Sequence, residues 1–239
     1  MAIMKSFTFD GYKSSDYGIF ISGDGVYNAP ERDIEMVSIP GRNGALALDQ
    51  GRFENIELTY PAGVFGTSQS DFSSKLSTFR NILCSRVSYV RLTDEYHPDE
   101  FRLALYRSGL EVEPVNYSNA GEFEIIFECK PQRFLTSGET TTTFNGNGSI
   151  TNPTQFESKP LLVVTGTGTL TVNGTSITFS SSPTTVDCET MEAYNGSTSR
   201  NGSITLGSGV FPVLSPGSNS ISKTSGISQI KITPRWWRI

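Results

Sequence analysis

The sequence predicts a mainly β protein in two domains, the first of which carries a single helix. Alternation of apolar and polar residues at period two recurs along the whole chain, whereas helical spacing occurs once. Charged residues make up only 18%, while 23 glycines and 12 prolines supply the turns that many short strands require. The composition then shifts near residue 136. From "TSGETTTTFNGNGSITNPTQFESKP" onward, Ser and Thr make up roughly a third of the residues. We therefore expect domains at 1–135 and 136–239; a single β domain with a Ser/Thr-rich loop is the alternative.

In the first domain, "SFTFDGYKSSDYGIFISG" holds two short strands, with Phe7 and Phe9, then Ile19 and Ile21, alternating with polar residues. Next comes "SIPGRNGALALDQGR", a glycine-dense stretch with two arginines. A phosphate-cradling loop needs G-x-x-x-x-G-K-[ST] between a strand and a helix. Here no Lys-Ser/Thr follows Gly41, Gly44 or Gly51, and "ALALDQGRFENIELTY" continues as strand. The expectation is a long hairpin with its tip at Pro40–Gly44, where Gly and Asn allow positive φ. A stiff tip bearing Arg42, with Asp49 and Arg52 behind it, equally suits an arm that reaches a neighbouring subunit.

"NIELTYPAG" alternates Ile56, Leu58 and Tyr60 on one face. The helix is "SDFSSKLSTFRNILCSR", where Phe72, Leu76, Phe79 and Leu83 share a face that Ile82 widens. Ser70 is expected as N-cap with Asp71 in the first turn. Strands follow at "VSYVRL", "FRLALYR", "LEVEPV" and "EFEIIFECK". In the last, Phe123, Ile125, Phe127 and Cys129 oppose Glu122, Glu124 and Glu128. This half reads as a β barrel or sandwich with one helix.

The second domain gives strands at "PLLVVTG", "GTLTVNGTSITFS", "TTVDCE", "GVFPVL", "NSISK" and "SQIKITP". Asn173–Gly174 is a strong type I′ hairpin signal. Short strands separated by Gly, Asn and Ser turns suggest a jelly-roll-like sandwich. The Asn-Gly-Ser/Thr triplets at 147, 173, 195 and 201 read as turns.

Several function classes are excluded. The net charge of −5 argues against a nucleic-acid grip. Residues 1–135 hold 13 basic and 19 acidic side chains and residues 136–239 hold six and five, so the acidity sits in the first half. The only histidine, His97 in "DEYHPDE", lies in what reads as a solvated turn, and no acid, base and nucleophile set is visible. Three scattered cysteines support neither a zinc site nor a disulfide framework and fit a reducing cytosol. We expect no enzyme, cofactor or metal. There is no apolar run of signal-peptide or transmembrane length, so no membrane insertion is expected. At the end, "ITPRWWRI" offers Trp236 and Trp237 as candidates for stacking on a glycan or a peripheral partner. On a strand the two rings point to opposite faces, so the reading preferred here is one in the core and one at an interface.

Taken in order, several stretches resemble the distal tail (Dit) proteins of long, non-contractile-tailed bacteriophages. They are "FTFDGYKSSDYGIFI", "PERDIEMVSIPGRNGALALDQGRFEN", "FSSKLSTFRNIL", "RLTDEYHPDEFRLA" and "FECKPQRF", then "NPT", "VDCETMEAYNG", "FPVLSPGSNSIS" and "ITPRWW". The resemblance implies an N-terminal split β-barrel with one α-helix, related to tail-tube proteins, followed by a galectin-like or jelly-roll sandwich. It implies a structural virion protein assembled in the host cytoplasm, whose first domains form a homo-hexameric ring continuing the tail channel. DNA would pass through the lumen without tight binding. Tail-tube protein would lie above the ring, a tail-associated hub protein below, and receptor-binding proteins around the projecting second domains. On this reading Ile39, Pro40, Gly41, Arg42, Asn43, Asp49 and Arg52 are the subunit-interface candidates. A free-standing carbohydrate-binding module and a tail-tube subunit are the alternatives.

Overall fold

The computed structural model describes residues 4–23, 27–115 and 119–239. Its contacts divide the chain into two units, residues 1–133 with 239, and residues 134–238.

The first unit runs β1 (Phe7–Phe9), β2 (Tyr12–Lys13), β3 (Ile19–Ile21), β4 (Arg32–Ser38), β5 (Ala45–Phe53), β6 (Ile56–Phe65), α1 (Gln69–Cys84), β7 (Val90–Asp94), β8 (Glu100–Tyr106), β9 (Glu113–Pro114) and β10 (Ala120–Leu135). Its main sheet has the order β2-β1-β7-β8-β10-β6-β3, with β9 added against β10, and curls into a half-barrel. The longest ladder pairs β10 with β6, from Ala120 opposite Phe65 to Cys129 opposite Ile56. Alternation sets the inner face. Phe7, Phe9, Ile19, Ile21, Ile56, Leu58 and Tyr60 are buried, as are Phe123, Ile125, Phe127 and Cys129. Glu122 and Glu124 face out.

Helix α1 closes this core with Phe72, Leu76, Phe79 and Leu83, the four residues its spacing selects. Phe79 meets Phe7 edge-on at 6.0 Å between ring centroids, and Phe7 stacks on Tyr60 at 5.8 Å. The helix starts earlier than its expected cap. Ser68, not Ser70, is the N-cap, and its hydroxyl accepts from the Asp71 N–H at 3.1 Å. Asp71 accepts from the Thr67 N–H at 2.8 Å in return, a reciprocal arrangement that Ser70 could not make.

Two other strand expectations fail in this unit. "LEVEPV" forms strand only at Glu113–Pro114. Residues 45–60 are not one strand, because Glu54 and Asn55 separate β5 from β6 and the two belong to different sheets.

The second unit continues with β11 (Thr142–Phe144), β12 (Gly148–Asn152), β13 (Leu161–Gly166), β14 (Gly168–Val172), β15 (Thr175–Phe179), β16 (Thr184–Asp187), β17 (Glu192–Asn195), β18 (Thr198–Ser199), β19 (Ile204–Leu206), β20 (Gly217–Lys223), β21 (Ile227–Thr233) and β22 (Trp237–Arg238). Two antiparallel sheets, β11-β21-β13-β16-β17-β18 and β12-β20-β14-β15-β19, share one core. Leu162, Val164, Leu170, Ile177, Val186, Ile230 and Ile232 are wholly buried between them. This is the two-sheet sandwich that the turn-separated strands predict.

"GVFPVL" is not a strand. Leu214 is buried, but the segment makes only an isolated bridge with Ser158. Side chains replace the missing ladder: Asn152 donates to the carbonyls of Leu214 (3.0 Å) and Phe156 (2.9 Å), and Asn219 donates to that of Ser215 (2.9 Å). Both asparagines are buried, so these bonds keep amides and carbonyls satisfied where no sheet could.

Candidate functional site

The strongest candidate is the hairpin β4–β5. Among the described residues its strands pair only with each other. The turn follows from its sequence. Arg42 N–H donates to the Ile39 carbonyl at 3.2 Å, closing a β-turn with Pro40 and Gly41 at its centre. Gly41 has φ 77°, so Pro then Gly meets the demands of a type II turn. Nothing lies within 4 Å of where a Cβ on Gly41 would sit, so the need for glycine there is conformational alone.

Register assigns the faces, since directly paired residues share one. Met36 pairs with Ala47, and Ser38 with Ala45, on one side; Val37 pairs with Leu46, and Glu35 with Leu48, on the other. Apolar side chains therefore stand on both faces. Ile34, Met36, Ile39, Leu46 and Leu48 are 38–62% exposed. A two-stranded hairpin alone is marginal in water, and apolar residues on both of its faces call for cover on both.

The base of the hairpin is held by charge. Arg32 Nε donates to Asp49 Oδ1 at 3.1 Å, and a second short contact makes this pair bidentate. Arg52 donates to Asp33 (2.7 Å) and Glu54 (2.9 Å). The guanidinium of Arg32, with the Gly51 N–H, holds the Asp49 carboxyl below its ordinary range. Hydrogen bonding to Asp33 raises Arg52. These pairs are exposed, so each contributes little to stability and serves mainly to fix the strands.

The structure thus brings Ile39, Pro40, Gly41, Arg42 and Asn43 together at the tip and places Asp49 and Arg52 at the base. Arg52 and Asp49, expected to be offered to a neighbouring subunit, have partners inside the hairpin. Among the described residues Arg42 has no ion-pair partner.

The two tryptophans have different surroundings, and only Trp237 lies in a strand. Trp236 is buried in the second core. Trp237 stacks on Phe156 at 4.4 Å and donates its indole N–H to the Glu157 carbonyl at 2.8 Å, so one ring face and its polar atom are engaged.

His97 is not in a solvated turn. Its Nδ1 lies 3.2 Å from Asp94, which also accepts from the Tyr60 hydroxyl at 2.5 Å. Burial and the Asp94 charge push the Tyr60 hydroxyl well up from its ordinary pKa. Glu100 is buried and paired with Arg133 at 2.7 Å. Sequence reasoning missed this network because Tyr60 lies 34 residues from Asp94, with nothing local to signal the contact.

Cys129 and Cys188 are buried, which pushes both thiols up to about 12; Cys84 is exposed. Among the described residues no group of three or more His, Cys, Asp or Glu is placed to hold a metal, and no helix is long and apolar enough to cross a membrane.

Residues 12–129, nearly all of the first unit, match the family described as the phage tail protein RIFT-related domain. No curated protein sequence matches the chain. Among solved structures, the Dit (gp 19.1) protein of phage SPP1, described as a paradigm of the hub adsorption apparatus in phages infecting Gram-positive hosts, superposes with a TM-score of 0.76. Identity is 14%, over 98% of this chain and 99% of that one. A chain of the phage P2 baseplate in its activated conformation with calcium gives 0.52 at 10% identity, over 96% and 98%. The strontium form gives 0.51 at 10% identity, over 99% and 98%. Residues 12–129 therefore match the phage tail protein RIFT-related domain, and the chain as a whole shares the fold of the SPP1 Dit protein.

Proposed function

We propose that six copies of this phage tail hub-like protein close into a ring that continues the tail channel, with hairpin β4–β5 as the arm from each copy to the next. The second units project outward and anchor other baseplate or receptor-binding proteins, with tail-tube protein above and a tail-associated hub protein below. The chain acts without chemistry, as a virion component assembled in the host cytoplasm. One observation carries the ring reading: a hairpin that among the described residues pairs with no other strand, has exposed apolar side chains on both faces and bears at its tip a cation with no ion-pair partner. The described residues leave that surface uncovered, and a second copy is a partner always at hand.

Electron microscopy of the purified chain tests this. Six-fold rings are expected, and Arg42→Glu should leave folded monomers with few rings. Intact rings from the variant refute the arm. The acidity of the first unit suits a conduit, because carboxylates repel phosphate whereas Lys and Arg would hold it. DNA affinity at moderate salt that depends on residues 1–135 refutes that part.

A further inference from the structure

Six Asn-Gly dipeptides occur in the chain, beginning at Asn43, Asn145, Asn147, Asn173, Asn195 and Asn201. Each is open to one self-modification, because glycine has no side chain to shield its backbone nitrogen. That nitrogen loses its proton and attacks the asparagine Cγ. A C–N bond forms, the Cγ–Nδ2 bond breaks, and ammonia leaves with the proton. Water then opens the succinimide ring at either carbonyl, giving aspartate or isoaspartate. Sequence treats the six alike, but hydrogen bonding does not. Four of the carboxamides are held. Asn145 Oδ1 accepts from Gln229 Nε2 at 3.2 Å, and Asn147 Oδ1 from the Lys223 N–H at 3.0 Å. Asn173 Oδ1 accepts from the Ser220 N–H at 2.9 Å while its Nδ2 donates to Asn219. Asn201 Oδ1 accepts from the Ala193 N–H at 2.6 Å. Among the described residues the side chains of Asn43 and Asn195 make no such bond. Space does not separate the six in the same way, since nothing lies within 4 Å of where a Cβ would sit on Gly44, Gly146, Gly174, Gly196 or Gly202.

We propose that Asn43, at the tip of β4–β5, and Asn195, beside the turn from β17 to β18, are the sites where this protein converts its own amides to carboxylates. The proposal stands apart from the ring reading. Each conversion alters something specific. Arg42 is the single charge of residues 36–48. A carboxylate on its neighbour cancels that charge, so the hairpin tip passes from cationic to neutral. Asn195 pairs with Thr198 across its turn. Isoaspartate there adds one backbone atom between the paired residues and slackens β18, the last strand of its sheet. The change stays local, because the Arg200 N–H donates to the Ala193 carbonyl at 2.7 Å and the Asn201 side chain accepts from the Ala193 N–H. The lost amide is not restored, so both conversions accumulate.

Ageing the purified full chain in mildly alkaline buffer tests the assignment. Peptide mapping by mass spectrometry reads the amide-to-acid mass gain at each asparagine, with fragmentation to separate Asn145 from Asn147. The native protein should convert at Asn43 and Asn195 about fivefold faster than at the other four, the factor that one net hydrogen bond supplies. In denaturant the six rates should draw together, since the dipeptide is the same at each. Gln229→Ala frees the Asn145 carboxamide and should raise its rate toward that of Asn43, with the other rates unchanged. A native rate at Asn43 or Asn195 no higher than at the four held sites overturns the proposal. The same ranking in denaturant also overturns it, by assigning the order to sequence rather than to structure. So does an unmoved Asn145 rate in the variant.

Discussion

Hairpins β14–β15 and β4–β5 share a local plan, two antiparallel strands with glycine in the turn, yet meet opposite fates. In β14–β15 the Asn173–Gly174 turn has φ 48° and 84°, the paired positive values of a type I′ turn. β20 and β19 flank the pair, and Leu170, Val172, Ile177 and Phe179 all enter the core. In β4–β5 no strand among the described residues flanks the pair and the apolar side chains stay exposed. Sequence gives both hairpins the same β-forming, apolar character. Among the described residues only the embedded one finds its cover within the chain.

The comparison can be broken or sharpened by substitution. Both tryptophans lie in the second unit, so their fluorescence follows its unfolding. Phe179→Ala should have the largest effect, a loss of about 3–5 kcal/mol in denaturant titration, because the ring is buried between the sheets. A loss under about 1 kcal/mol would mean the core relaxes to fill the site.

Asp187→Asn comes next, at about 1–2 kcal/mol near neutral pH. Asp187 receives a bidentate bond from Arg235, at 2.7 and 2.8 Å, which holds its carboxyl below the ordinary range. Since the folded pKa is depressed, the stabilisation is complete above the unfolded value, about 3.9, and is lost as pH falls through the lower folded one. The guanidinium stays charged throughout, so the acid-side slope of stability should flatten in the variant. An unchanged slope refutes the assignment.

Gly174→Ala should cost about 1 kcal/mol by strain alone, since nothing lies within 4 Å of the added Cβ. The smallest stability effect belongs to the arm. Leu48→Ser should shift monomer unfolding by less than about 0.5 kcal/mol while depleting rings. A monomer destabilised as strongly as Phe179→Ala would show that the arm packs on its own body, and the contrast would fail.

The helix was legible because Phe72, Leu76, Phe79 and Leu83 repeat on one face and no competing pattern surrounds them. Its cap was not, because Ser68 and Ser70 are equivalent caps on paper and only the reciprocal bond to Thr67 distinguishes them. The sandwich strands were legible wherever β-branched residues alternate. β12 hides in "GNGSITN", where Gly and Asn mimic a loop while Ile150 still reaches the core. The opposite error arose at "GVFPVL", which is apolar enough for a strand but makes only an isolated bridge, with buried Asn152 donating to its Leu214 carbonyl. At the candidate site the turn was legible from Pro40–Gly41. The pairing of Arg32 with Asp49 was not, because a register shift between Arg32 and Ile34 carries Asp49 out of simple alternation. Exposure on both faces is a property of what the strands fail to touch, and no spacing rule reports that.

The second unit is tied off where it starts and stops. Leu135 N–H donates to the Trp236 carbonyl, and Arg235 N–H to the Gly138 carbonyl, each at 2.8 Å. A sandwich whose two tails are knotted side by side behaves as a cassette: it can be exchanged, enlarged or replaced with little disturbance to its own interior.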